Sequence, residues 1–426
     1  MNLLKEVLKH EVFPALGCTE PIAVAYAASL AAAQTEGEIQ EIQITVDPGV
    51  YKNGLAVTVP NTGGEKGNLI AGVLGALINQ PDARMEILKH ATPQIVSRAQ
   101  EIIRGGKAKI HLDKSRSDLY IEASVKTSQD SARAVIEHAH TNLVCLEKDG
   151  SLIFANPDQE KGSSDRRYRS CLKEMRIEEM IETVRNLDQD DRQYIKLGIE
   201  MNLAISEAGR GLKKVGHFIS DLTSKGFITD DIFASSKILT ASATDARMAG
   251  VNMPVMSSGG SGNQGIVAIL VPYNVGKYYQ IKESVIIESI ALSHLINSYI
   301  KCFIGDLSPL CGCAISAGVG AASAIVYQQC GDDMAKITLA VNNLISDLGG
   351  MLCDGAKGGC ALKVASSADS AIRAAYMAIN NHGITEMEGF VGKTAEQTIY
   401  HLSQISKIGM GKADDTMLGI MIDKTS

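Results

Sequence analysis

Residues 156–170, NPDQEKGSSDRRYRS, are polar, poor in apolar side chains and carry Pro, Gly and Ser. On either side of them the hydrophobic pattern has a different period. Before the stretch, residues 1–10, 20–34, 68–78 and 82–104 read as helices, the last interrupted at Pro93. Interleaved with these, 39–46, 56–59, 109–112, 119–125, 141–146 and 152–154 read as short strands, with turns at Asp47-Pro48-Gly49 and Asn53-Gly54. After it the pattern is helical almost throughout: 177–187, 191–208, 211–225, 229–246, 282–303, 313–329, 332–348 and 365–381. No internal repeat is visible. The expected fold is therefore an α+β domain over 1–155, a linker over 156–170, and a mostly α-helical domain over 171–426.

Composition says how these parts must pack. Hydrophobic residues make up 45% of the chain, yet aromatics are only 4% and tryptophan is absent. Cores filled by Ala, Ile, Leu, Val and Met, with many glycines, favour helices in close approach. The net charge of −7, from 41 basic and 48 acidic residues, gives no footprint for nucleic acid or an anionic membrane. The basic run at residues 166–169 reads as solvated linker. Charges at Lys5, Glu6, Lys9, His10 and Glu11 break any apolar core of a secretory signal. The longest apolar runs are far too short to span a bilayer. A cytoplasmic protein is expected, and its Ala/Gly-rich helices suit a homodimer.

Glycine-rich segments between buried helices are where chemistry is sought. The loop 257–265, SSGGSGNQG, precedes the apolar run IVAILV. With Ser261, Asn263 and Gln264 it reads either as an interhelical turn or as a cradle for a small carboxylate. It lacks the spacing of a nucleotide loop. In TASATDARMAG (240–250), Arg247 is either paired internally with Asp245 or free to clamp a carboxylate.

Nine cysteines cannot all be stabilising disulfides, and in a reducing cytosol clustered cysteines more often mean metal or catalysis, whereas Cys145 and Cys330 read as small buried hydrophobes. Cys311 and Cys313 lie in PLCGCAISAGVGAA, and Cys353 and Cys360 in GGMLCDGAKGGCALK. Glycines crowd the second stretch where an apolar core would want side chains. A backbone that must wrap an inorganic cluster needs such freedom. The spacing is not that of a zinc site. Cys18, in FPALGCTEPIA, stands where a helix begins, with Thr19 as the expected N-cap, so the helix dipole is expected to favour its thiolate.

These segments resemble the bacterial and archaeal L-cysteine desulfidase family and, more distantly, the catalytic chain of iron–sulfur L-serine dehydratases. The likeness is carried by ALGCTEPIA (15–23), KNGLAVTVP (52–60), His140-Thr141-Asn142, residues 220–250, SSGGSGNQG, LSHL (292–295) and MLCDGAKGGCALKVASSA (351–368). It implies an oxygen-sensitive [4Fe-4S] cluster with three cysteine ligands and one open iron. The matching positions are Cys18, Cys311, Cys353 and Cys360, four candidates for three places. The serine dehydratases favour the last three, with the same step from Cys311 to Cys353 but a longer final step. The implied reaction is β-elimination of L-cysteine to pyruvate, ammonia and sulfide, or the equivalent dehydration of L-serine. Arg247 and the 257–265 loop would hold the carboxylate, helped by Lys52 and Asn53. His294 and His140 are the candidate bases. A site between the two domains follows, since Cys18 belongs to the first and the other cysteines to the second.

Two further readings differ in class. A pyridoxal-phosphate lyase needs a catalytic lysine in a phosphate cup, and only Lys363 offers itself. A non-catalytic iron–sulfur sensor or scaffold would need neither polar loop.

Overall fold

A computed structural model describes residues 2–116, 118–156 and 167–424. Most of the expected linker, 157–166, lies outside the described residues. The architecture is an α/β part with a mixed sheet followed by a mostly helical part.

The six-stranded sheet runs in the order Ala108–Leu112, Ile39–Val46, Tyr120–Thr127, Ser131–Glu137, Leu143–Lys148, Ser151–Ala155. Only the first pair is parallel, and its crossover carries helices Asn68–Ile78 and Pro93–Arg104. The alternation in Ile39–Val46 puts Ile42, Ile44 and Val46 on the covered face, beside Ile121, Ala123 and Val125 of the neighbouring strand. Helices Thr19–Ala32 and Asn68–Ile78 cover that face. Their small residues are required there: a Cβ on Gly75 would stand 1.9 Å from the Ala25 carbonyl oxygen.

The helical part is built around Gly262–Tyr278, Glu283–Ile304 and Ser316–Cys330, all buried over most of their length. The first helix, Leu3–Glu11, puts Leu4, Val7 and Leu8 into this same core. Strand Pro14–Ala15 then pairs with Val255–Met256. The chain thus passes into the α/β part only at about residue 16. Cys18 sits at that crossing.

Several local expectations change. The turns at 47–54 are one helix, Pro48–Gly54, because Asp47 caps it by accepting from the Gly49 and Val50 amides and Pro48 stands in its first turn. The strand expected at 56–59 is reduced to a single bridge, Thr58 to Lys66. Pro93 opens a helix rather than interrupting one, and the stretch before it is 3₁₀. Ser131–Glu137 is an added central strand. The second half of the 257–265 loop is the first turn of Gly262–Tyr278. Residues 167–169 are not solvated linker: Tyr168 is buried in helix Arg167–Glu174, and Arg169 is tied into ion pairs. Helices Ala395–Gln404 and Gly411–Asp423 complete the chain's described end. Among the described residues, no helix is long and apolar enough to cross a membrane.

Candidate functional site

Two loops of the helical part are laced together by backbone. The Cys311 amide donates to the Met351 carbonyl at 2.9 Å and the Cys353 amide to the Pro309 carbonyl at 2.7 Å. An antiparallel bridge between Leu310 and Leu352 links them. This sets Cys311 and Cys353 side by side. Cys360 follows as the first residue of helix Cys360–Ile379. Between them Gly355 adopts φ +87°, and a Cβ there would stand 2.3 Å from the Lys52 carbonyl oxygen. The cysteine loop therefore lies directly on helix Pro48–Gly54 of the α/β part.

The result is one small cavity, of about 80 Å³, at the junction of the two parts. Cys18, Cys311, Cys313, Cys353 and Cys360 all line it, as do Lys52, Asn53, His140, Arg247, Ser261, Asn263 and Gln264. Cys18, Cys311 and Cys360 are buried. All nine cysteines are free thiols. Among the described residues, no three His, Cys, Asp or Glu side chains stand close enough to hold a single metal ion.

Burial pushes the Cys353 thiol up to about 11 and raises Cys360 too. Cys311 moves the other way, to about 7, because the Cys313 thiol donates to it, against the cost of burial and with help from Lys363. Of that pair, Cys311 is the one whose thiolate is favoured and Cys313 the one held as the thiol.

Cys18 itself, not Thr19, is the N-cap of Thr19–Ala32, and its side chain makes no capping bond. Its thiol donates instead to Glu20 at 2.8 Å. Burial raises the Cys18 thiol, the Glu20 carboxylate adds to this, and Arg247 opposes it. The helix-end advantage expected for its thiolate is thus outweighed. Glu20 also accepts from Asn53 at 3.1 Å and lies 4.0 Å from His140 Nε2. Burial works against its ionisation, but His140, Cys18 and Asn53 hold its carboxyl below the usual range.

On the opposite wall, Arg247 is 2% exposed. One of its terminal nitrogens donates to Asn263 Oδ1 at 3.0 Å, and its Nε is buried without a partner. It is not paired with Asp245, which accepts instead from the Gly216 amide at 2.8 Å. The lysines of the cavity are otherwise engaged. Lys52 pairs with Asp414, Lys301 with Asp306, and Lys363 with Asp354. Among the described lysines and arginines of the lining, Arg247 alone has no carboxylate. Beside it opens the N-terminus of Gly262–Tyr278, whose N-cap Ser261 makes no side-chain capping bond. Gln264 Oε1 is buried there without a partner. A helix N-terminus, an uncompensated guanidinium and an unsatisfied amide are the elements of a carboxylate receptor.

His294 does not line the cavity. It is buried in Glu283–Ile304, its Nδ1 2.8 Å from Ser258 Oγ, and burial pushes its pKa down to about 3. It supports the 257–261 loop from behind. His140 is on the wall. Glu20, Cys313, Lys301, Asp306 and Lys363 also line the cavity. Glu20 lies inside the CTEP motif and Cys313 completes a Cys-Gly-Cys pair, so both left a trace in the sequence. Lys301 and Asp306 left none.

The family model for the serine dehydratase alpha chain matches residues 82–419. A UPF0597 protein of Geobacter sulfurreducens is 60% identical over 426 residues, covering 100% of this chain and 99% of the relative. UPF0597 proteins of Elusimicrobium minutum and Alkaliphilus oremlandii are 53% and 40% identical, the first over 100% of both chains, the second over 99% of this chain and 98% of its own. No solved structure matches the chain. The chain belongs to the serine dehydratase alpha chain family and is related over its length to the UPF0597 proteins. The matched span starts beyond Cys18, Lys52 and Asn53, whereas the relatives extend over them.

Proposed function

We propose that this chain is an iron–sulfur-dependent lyase that eliminates the β-sulfur of L-cysteine, giving pyruvate, ammonia and sulfide. The observation that carries the reading is a single cavity in which thiols from both parts face Arg247, a guanidinium without a carboxylate partner.

The donor set fits such a cofactor. Thiols spread around a cavity suit a polynuclear centre better than a single ion, and backbone rich in glycine can wrap it. Cys311, Cys353 and Cys360 are the residues to hold a [4Fe-4S] cluster, with Cys18 the further candidate from the α/β part. When bound, the cluster supplies a Lewis-acidic iron that eases departure of the leaving sulfur.

The chain's own residues do the rest. Arg247, steadied by Asn263, receives the substrate carboxylate together with Ser261 and Gln264 at the helix N-terminus. Lys52 and Asn53 close the site from the other wall. His140 takes the α-proton, and the Glu20 carboxylate beside it stabilises the imidazolium. Loss of the β-sulfur leaves aminoacrylate, which water converts to pyruvate and ammonia. His294, off the cavity, acts by holding Ser258. L-Serine is the second reading, favoured by the description of the family; its hydroxyl would leave in place of the sulfur.

The test is anaerobic reconstitution followed by iron and labile-sulfide analysis and by turnover of L-cysteine and L-serine. Sulfide and pyruvate from L-cysteine are expected. Pyruvate from L-serine alone moves the reading to dehydration. A cluster with no turnover of either leaves a sensor or scaffold.

A further inference from the structure

A second cavity, of about 770 Å³, adjoins the first. His140, Gly260, Lys301 and Asp306 belong to the walls of both. These four define a neck. One side of it is backbone. Gly259 and Gly260 both have positive φ, and a Cβ on Gly260 would meet nothing within 4 Å, so position 260 faces open space. The other side is charge. Lys301, 5% exposed, donates to the Gly259 carbonyl at 2.6 Å and lies 3.3 Å from Asp306.

The neck is braced. Arg169 grips Asp306 through both terminal nitrogens, at 2.9 and 3.0 Å, and Glu11 through Nε at 2.7 Å. The Gly260 amide donates to the Glu11 carbonyl at 2.9 Å. Glu11, Arg169, Asp306, Lys301 and the Gly259–Gly260 turn thus close a ring of hydrogen bonds and ion pairs at the boundary of the two spaces. Such a ring holds an opening at fixed width. It also presents an ammonium and a carboxylate side by side, the complement of an α-amino acid's own two charges.

We propose that the outer cavity is the way into the inner one, and that Gly260, Lys301 and Asp306 form a selective neck that passes small zwitterions. Only the identity of the molecule that passes rests on the lyase reading; the route itself does not.

The test labels thiols in the full-length protein after chelation of any iron, with peptide mass spectrometry as readout. Iodoacetamide is the neutral probe and iodoacetate the anionic one. Gly260→Asn fills the neck with a residue that tolerates left-handed backbone. It should slow alkylation of Cys311 and Cys360 about tenfold, while Cys145, Cys171 and Cys330, outside the cavity, react as before. Unchanged rates at Cys311 and Cys360 overturn the proposal and put the opening on the Lys363 side. Lys301→Met serves as the second arm, also should Gly260→Asn fail to fold. It should lower the iodoacetate-to-iodoacetamide rate ratio at Cys311 about tenfold, and an unchanged ratio removes Lys301 from the neck. Neither readout needs turnover, so the route is tested even in a protein that releases no sulfide.

Discussion

Two glycines of the same loop should respond oppositely to alanine. Gly355 has φ +87°, and its added Cβ would stand 2.3 Å from the Lys52 carbonyl oxygen and 3.1 Å from the carbonyl carbon. The left-handed backbone costs an L-residue about 1–2 kcal/mol. The overlap is with backbone of another helix, which cannot swing aside, and overpacking of that kind costs about 1–3 kcal/mol. The sum, about 3 kcal/mol, corresponds to roughly a hundredfold shift toward an open loop. Gly358 has no neighbour within 4 Å of an added Cβ and no positive φ. Gly358→Ala should therefore be neutral or slightly stabilising through the unfolded chain. Hydrogen exchange followed by mass spectrometry reads the difference at the Cys353 amide, which donates to Pro309. Gly355→Ala should speed its exchange about a hundredfold; Gly358→Ala should not. Equal protection in the two variants would refute the claim that this loop is seated on helix Pro48–Gly54.

Arg169→Ala leaves Glu11, 1% exposed, with its charge uncompensated. It should cost about 3–5 kcal/mol in urea unfolding, and adding Glu11→Gln should recover a large part. His294 titrates near 3 in the fold against an ordinary 6.5. Its depressed pKa means stability is intact above pH 6.5 and is lost as pH falls from 6.5 toward 3, at about 1.4 kcal/mol per unit. Between pH 7 and 5, urea melts should show the wild type losing about 2 kcal/mol more than His294→Gln. Arg247→Gln should raise KM for the amino acid about thirtyfold or more, the worth of a charged hydrogen bond, with iron content unchanged. A fall in kcat alone would take the guanidinium away from the carboxylate.

What was legible in the sequence was whatever a short motif or a period could carry. The alternation of 39–46 and the alanine run of 20–34 announced a sheet face and its covering helix, because each pattern is fixed by local geometry. The cysteine segments announced themselves by glycines that no core would choose. The 47–54 helix was hidden because Asp-Pro-Gly is equally a turn signal, and only the capping bonds of Asp47 decide between them. Ser131–Glu137 was hidden by charged residues on its solvent-facing side. Arg247 could be read as Asp245's partner because the two are close in sequence. On a helix, however, residues two apart point to different faces, and Asp245 meets Gly216 instead. Lys301 and Asp306 were invisible because their meaning depends on partners far away in the chain, at Gly259 and Arg169.

The same dependence explains why neither part could carry the site alone. The helical part supplies four of the five cavity thiols and Arg247, but the floor beneath its cysteine loop is the Lys52 backbone. The α/β part supplies Cys18, Glu20 and His140, yet the sequence reaches it only after pairing Pro14–Ala15 with Val255–Met256 at the edge of the 257–265 loop. That pairing continues into the loop itself, through the Ser257 amide on the Phe13 carbonyl and the Gly260 amide on the Glu11 carbonyl. A change in how the two parts sit would therefore move the thiols, His140 and Arg247 relative to one another at once. Substitutions at this seam should alter the site as a unit, whereas substitutions on the far face of the sheet should leave it intact.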